Sequence, residues 1–413
     1  MVRIFLPFAL GYFLSYLYRT VNAVIAPNLA VDIGVDPSGL GLLTAAYFIA
    51  FASSQLPLGV LLDRYGPRRI EATLLLFAAA GAYIFSRSDA LTGLAVGRAL
   101  IGFGVSACLM AAFKAFVMWF PAPQLPLING IQMTSGGLGA LSATAPIEFL
   151  LGIMDWRSVF VLLALATLAV ALVVFFVVPD KTEAQPPESL RPQLAGIGEV
   201  FSSPVFWRIA PWATLSQAAY LAIQGLWSGP WLRDVVGFDR RETAGTLLLV
   251  AASMTAGYLL LGILANRLSR AGWRPLTVAA LGMLVFMLVQ TLIVCGWVPD
   301  VRLVWMLFGF FGTSGILCYA DLSQRFPSRL AGRVNTGLNL LVFVVAFAAQ
   351  WGVGAVIDLW PSSASGYAVA GYRAGFGVML GLQAAALAWF LLASRRARTD
   401  HRSDRGRPGL KAP

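Results

Sequence analysis

Residues 59–69 read Gly59-Val60-Leu61-Leu62-Asp63-Arg64-Tyr65-Gly66-Pro67-Arg68-Arg69. One acid and three arginines make a short polar turn between two apolar runs, about 41–62 and 70–86. Each run has roughly the 20 residues that a helix needs to cross a hydrocarbon layer about 30 Å thick. Gly66 permits a tight reversal. The stretch reads as a hairpin joining two membrane spans, with its charges held at the surface.

The same alternation continues along the chain. Apolar cores fall at about 5–29, 41–62, 70–86, 90–112, 128–149, 158–178, 207–231, 244–265, 276–298, 303–322, 334–357 and 374–394, which predicts twelve spans. Of the 413 residues, 58% are hydrophobic and 12% charged, with a mean hydropathy of +0.76. A soluble domain is about 45–50% apolar and about 25% charged. These totals exclude an ordinary cytosolic enzyme, a disordered chain and a disulfide scaffold. Cys108, Cys295 and Cys318 all lie in apolar runs, and the only histidine is His401 in a polar tail. Neither a metal site nor a cofactor is expected. The net charge of +11 comes from residues flanking the spans, which argues against nucleic acid as a partner. Arg19 interrupts the first span and no small-residue cleavage site follows, so that segment is not read as a signal peptide.

With the N-terminus placed inside, 20 of the 30 Lys and Arg fall in inner segments and 7 in outer loops. That bias predicts cytoplasmic N- and C-termini and a multi-pass protein of a bacterial plasma membrane, expected as a monomer in the lipid bilayer. The polar stretch 180–205 reads as a cytoplasmic linker between residues 1–179 and 206–394, two six-helix bundles. Residues 395–413 read as a disordered cytoplasmic tail. The two halves are repeats. A shift of 203 places Gly59 on Gly262, Leu61 on Leu264, Asp63 on Asn266 and Arg64 on Arg267, and a shift of 206 places Phe120-Pro121 on Phe326-Pro327 and Asn129 on Asn335. Parallel six-helix repeats suit two bundles that rock about a central site.

Residues 59–69 resemble the G-x-L-x-D-R-x-G-R/K-R/K motif of the major facilitator superfamily of secondary transporters. Arg98 with Gly102 and Gly104, and Asp155-Trp156-Arg157-Ser158-Val159-Phe160, resemble further motifs of that superfamily. The resemblance implies an all-α polytopic fold of twelve helices in two pseudo-symmetric bundles, and transport rather than enzymatic activity. Tyr16-Leu17-Tyr18-Arg19-Thr20-Val21-Asn22 and the Trp119-Phe120-Pro121 turn resemble the organic-anion branch, the anion:cation symporters. The span-five signature of drug/proton antiporters is absent. So are the paired arginines of nitrate porters, since spans two and eight hold no Lys or Arg.

Within residues 59–69, Gly59, Asp63, Arg64, Gly66, Arg68 and Arg69 form a gating motif. The arginines are expected to reach acids or helix carboxyl ends across the gap between halves, in contacts made in one state and broken in the other. Ionisable side chains within a membrane cost about 2.5–3.5 kcal/mol on insertion scales and are functional by default. Here those are Arg19, Arg98 and Lys114, with no carboxylate identified at mid-span. Three uncompensated cations predict an anionic substrate, a carboxylate first of all, which guanidinium grips bidentately. Arg19 lies on a polar stripe with Tyr12, Ser15 and Asn22, and Arg19, Asn22 and the neighbouring Tyr16 are expected substrate contacts. Gln132, Tyr220 and Gln224 are added as substrate contacts from spans five and seven. Lys114 faces either the cavity or the interface. Arg98 is a brace or a charge relay. Asp321 is either a proton carrier or an ion-pair partner of Arg325. The expected function is uptake of a small organic anion by alternating access, coupled to protons. The alternatives are efflux or exchange of a neutral or zwitterionic metabolite or short peptide, or a non-transporting receptor on the same scaffold.

Overall fold

The computed structural model describes residues 2–34, 37–143, 145–180, 190–361 and 367–405. Among them there is no strand, and the first half holds α1 (Val2–Ile33), α2 (Pro37–Ser53), α3 (Gln55–Tyr65), α4 (Pro67–Arg87), α5 (Leu91–Val105), α6 (Cys108–Trp119), α7 (Leu125–Ser142), α8 (Ala145–Leu151) and α9 (Trp156–Val177). Then come α10 (Leu190–Phe201), α11 (Pro204–Ala222), α12 (Ser228–Asp234), α13 (Arg240–Arg270), α14 (Pro275–Cys295), α15 (Val301–Gly312), α16 (Leu317–Arg325), α17 (Ala331–Ile357) and α18 (Val369–Arg405). Among the described residues, nine helical segments are long and apolar enough to cross a membrane, ten if α2 and α3 count as one span bent by 52°. Pro57 removes a backbone donor just beyond that bend, which explains the break. The other two expected spans centre on α7 and α11, of 18 and 19 residues. They bury Asn129, Gln132, Thr214 and Ser216 against neighbouring helices, so composition alone does not mark them as membrane-crossing.

Local chemistry explains where several helices start and turn. Asp155, Asp239 and Asp300 cap α9, α13 and α15, each accepting a backbone N–H three residues on. Gly66, at φ +81°, joins α3 to α4. Arg157 donates to the carbonyls of Ser86 (3.1 Å) and Ser88 (2.7 Å) at the end of α4, where helix carbonyls lack partners and favour a cation. Trp156 Nε1 donates to Asp32 at 2.8 Å, and Phe160 stacks on Phe85 at 4.4 Å. The Trp156–Phe160 motif thus ties α9 to the ends of α1 and α4.

In the first half α4 packs on α5 and α9, and α1 on α7 and α9; in the second, α13 packs on α15, and α11 on α17 and α18. Between halves, α3 and α6 meet α17, and α7 meets α13 and α16. These two seams are equivalent under the repeat. A Cβ on Gly59 would lie 3.0 Å from the Arg333 Cα, and one on Gly262 3.4 Å from the Leu127 Cα. The C-terminal region departs from expectation, because α18 continues to Arg405, eleven residues past the predicted end of the bundle. No Gly or Pro interrupts residues 395–405. Residues 406–413 lie outside the described residues, as do 181–189 of the linker, whose later part forms α10.

Candidate functional site

Polar contacts between the halves gather at the end of the bundle from which the linker leaves. Asp63, at the last turn of α3, crosses the seam. Its two oxygens accept the backbone N–H groups of Gly332 (2.9 Å) and Arg333 (3.2 Å) at the start of α17. Those are the unsatisfied donors of a helix N-terminus, where a carboxylate is favoured. Lys114 Nζ lies 2.9 Å from Asp63 Oδ1 and Arg333 Nε 3.5 Å from Oδ2, all three side chains being nearly inaccessible to water. Lys114 also donates to the Ser328 carbonyl. About two turns deeper, Asn339 donates to Gln55 Oε1 at 2.9 Å, and Phe51 meets Phe343 edge to face at 5.1 Å. This layered latch closes the linker end.

Behind the latch, between the halves, lies a cavity of about 620 Å³ including its mouth. Tyr12, Tyr16, Tyr220, Tyr258 and Tyr319 line it, and among the described residues Arg19 is its only charged lining residue. The guanidinium carbon stands 4.6 Å from the Tyr16 ring centre, 5.4 Å from Phe343, 5.5 Å from Phe51 and 5.9 Å from Phe48. Each such contact is worth about 0.5–2 kcal/mol, so the rings offset only part of the cost of desolvating a cation. Arg19 Nε and Tyr220 Oη are buried without hydrogen-bond partners among the described residues. A guanidinium and a phenol from opposite halves are therefore left with donors to offer.

Sequence reasoning placed Arg19, Tyr16 and Tyr220 in a binding site, and all three line this cavity. The other four expected contacts lie elsewhere. Lys114 points to the linker end and is held by Asp63, because a carboxylate lies within its reach there. Gln132 is fully buried and donates to the Phe8 carbonyl at 3.0 Å, which ties α7 to α1. Asn22 is buried beyond Arg19 on α1, outside the cavity lining. Gln224 falls in a π turn, Ile223–Trp227, outside the cavity lining.

The gating arginines also differ from expectation. Arg68 Nε donates to the Phe175 carbonyl at 2.7 Å, and Arg69 pairs with Asp180 at 2.7 Å. Both contacts stay within the first half, at the carboxyl end of α9, where the helix dipole attracts cations. Arg64 lies over Tyr65 at 5.1 Å. The acid rather than the arginines crosses the gap. Arg98 is 1% exposed, donates to the Tyr18 carbonyl at 2.9 Å and lies 4.7 Å from the Tyr47 ring, the geometry of a brace. Asp321 is buried, with both oxygens on Arg325. The sequence reading passed over Phe51, Tyr258, Tyr319 and Phe343, because aromatic residues in apolar runs look like core. It also passed over Glu71, fully buried near the linker end of α4.

The profile of the Major Facilitator Superfamily matches residues 8–350. This chain belongs to that superfamily. As a superfamily member it is a multi-pass membrane transporter and not an enzyme. It is 23% identical over 356 residues to the probable sulfoacetate transporter SauU of Cupriavidus necator, covering 80% of this chain and 82% of that one. It is 25% identical over 252 residues to the hexuronate transporter of Escherichia coli K12, covering 57% and 58%. Among solved structures, the fucose:proton symporter FucP of E. coli superposes with a TM-score of 0.71 at 17% identity, over 92% of this chain and 98% of that one. The human organic anion transporter MFSD10 gives 0.69 at 17% identity, over 95% and 99%. These likenesses establish the superfamily fold, and the relatives establish small-molecule transport as the activity.

Proposed function

We propose that this transporter carries a small organic anion, with a carboxylate as the first candidate, by alternating access, and that uptake is driven by protons. The observation that carries the reading is Arg19, a cation whose Nε is buried without a partner, in a cavity whose lining among the described residues holds no acid. An anion would supply both the charge and the acceptors that the aromatic rings cannot. Relatives named as sulfoacetate and hexuronate transporters support an organic anion.

The positive-inside bias places the linker in the cytoplasm of a bacterial cell. The latched state is then the one closed to the cytoplasm, with Asp63 as its central residue, and its breakage opens the other side. Arg98 braces α5 against α1 throughout.

The test is uptake into proteoliposomes of labelled monocarboxylates, dicarboxylates, sulfonates, nitrate, sugars and peptides, with and without a pH gradient. Anion uptake is expected to drop about 10–100-fold in Arg19→Ala, the worth of one or two charge-assisted hydrogen bonds. Arg19→Lys should recover part of it, because charge is kept and the planar fork is lost. Transport of a neutral or cationic solute, unchanged in Arg19→Ala, would overturn the reading.

A further inference from the structure

Glu71 is an acid that neither the cavity nor the latch uses. It lies in the second turn of α4, fully buried, and neither carboxyl oxygen has a hydrogen-bond partner among the described residues. Gly11 of α1 makes room for it: a Cβ there would stand 2.2 Å from Glu71 Oε1 and 3.8 Å from Cys108 Sγ of α6. The carboxyl group therefore fills a slot between α1 and α6. Tyr12, next to Gly11, and Leu109, next to Cys108, both line the cavity. The slot is thus one side-chain layer behind the substrate site.

Titratable and charged groups on the surrounding helices are engaged elsewhere. On α6, Lys114 is on Asp63, which leaves the Cys108 thiol as the group facing Glu71. On α1, Arg19 stands among aromatic rings; on α5, Arg98 donates to Tyr18. On α9, Arg157 pairs with Asp89 at the opposite end of α4 from Glu71, and on α3 Asp63 faces α17. A carboxylate with neither a cation nor a donor costs several kcal/mol at such a place, and the neutral acid far less.

We propose that Glu71 is a proton-binding site of this transporter, holding its proton while the linker end is latched and releasing it when that end opens. The inference rests on the alternating-access reading above. The acid and its conjugate base differ by one proton, so one proton crosses per Glu71 per cycle. The release side follows from position. Glu71 is four residues from Pro67, where α4 starts at the linker end, and α6 carries both the wall of the slot and Lys114 of the latch. Breaking the latch parts α6 from Ser328 of the other half and admits water to the slot from that side.

Two measurements test this. The first needs no substrate: infrared difference spectra of purified wild type at neutral pH should contain the C=O stretch of a buried carboxylic acid that Glu71→Gln lacks. Its absence from wild type overturns the proposal, whatever the protein carries. The second uses proteoliposomes and the anion found active in the uptake panel. Glu71→Gln, which keeps the shape of the neutral acid, should retain counterflow exchange and lose accumulation driven by a pH gradient. Glu71→Asp should retain both, with its pH profile displaced. Accumulation at the wild-type level in Glu71→Gln would make the residue a space-filler. Loss of counterflow as well, in a Glu71→Gln protein that elutes as a single folded species, would make it purely structural. Either result overturns the proposal. A panel in which no anion is carried, alongside a positive infrared result, sinks the anion reading and leaves the proton site standing.

Discussion

Arg19 could be picked out of the sequence because a guanidinium in the middle of a hydrophobic run has no cheap place to go. Its surroundings could not, since Phe48, Phe51 and Phe343 look like any other apolar residues until the halves are brought together. Tyr220 is the complementary case. Its hydroxyl is buried without a partner while its ring packs against Phe308 at 5.9 Å, so removal of the hydroxyl should leave the packing intact. Tyr220→Phe is expected to raise KM about two- to tenfold for hydroxylated anions, the worth of one hydrogen bond, and to leave anions without a hydroxyl unaffected. Equal effects on both kinds of anion would show that the phenol does not read the substrate. Lys114 and Gln132 illustrate the opposite outcome. Both are polar residues in membrane helices, as Arg19 is, but each finds a partner within its own half. Only neighbours from distant parts of the chain determine which polar side chains are left over.

At the level of helices, the decisive contact is between the end of α3 and the start of α17. Two backbone N–H groups and two cations converge on Asp63. Bonds to a charged group contribute about 1.5–3 kcal/mol each. Asp63→Asn keeps the shape and loses the charge, so the latched state should lose at least about tenfold in population. The measurement is the rate at which a linker-side thiol reagent labels a cysteine placed at Phe343 in a Cys295→Ser background. That rate should rise in Asp63→Asn, and an unchanged rate would mean that the acid is only a positional anchor. The second half has no equal latch. Asn266 stands at the repeat position of Asp63, its Oδ1 buried without a partner among the described residues. The counterpart of Gly332 is Pro126, which has no N–H to donate. The motif itself was readable as a gate from residues 59–69. Its wiring was not, because the arginines had an alternative: the carboxyl end of α9 lies nearer to them than the other half.

Across the whole molecule, transport requires the seam at the linker end to open and close. Phe51 and Phe343 meet there from opposite halves. Cysteines at both positions, in the same Cys295→Ser background, should be joined by a short thiol cross-linker, and joining them should abolish transport until a cleavable linker is cut. Full transport after complete cross-linking would rule out opening at this seam. The amino-acid sequence was sufficient for the membrane class, the two-fold repeat and the superfamily, because these follow from hydropathy, spacing and a motif carried within one hairpin. It also marked Arg19 as a cation stranded within a span. Tertiary structure alone decided that Lys114 serves the latch, that Asp63 and not the arginines spans the halves, and that Glu71 is sealed without a partner. The physical reason is the same in each case. Whether a charge in a membrane is free, paired or stranded depends on what lies within a few ångströms of it, and those neighbours are supplied by helices far apart in the chain.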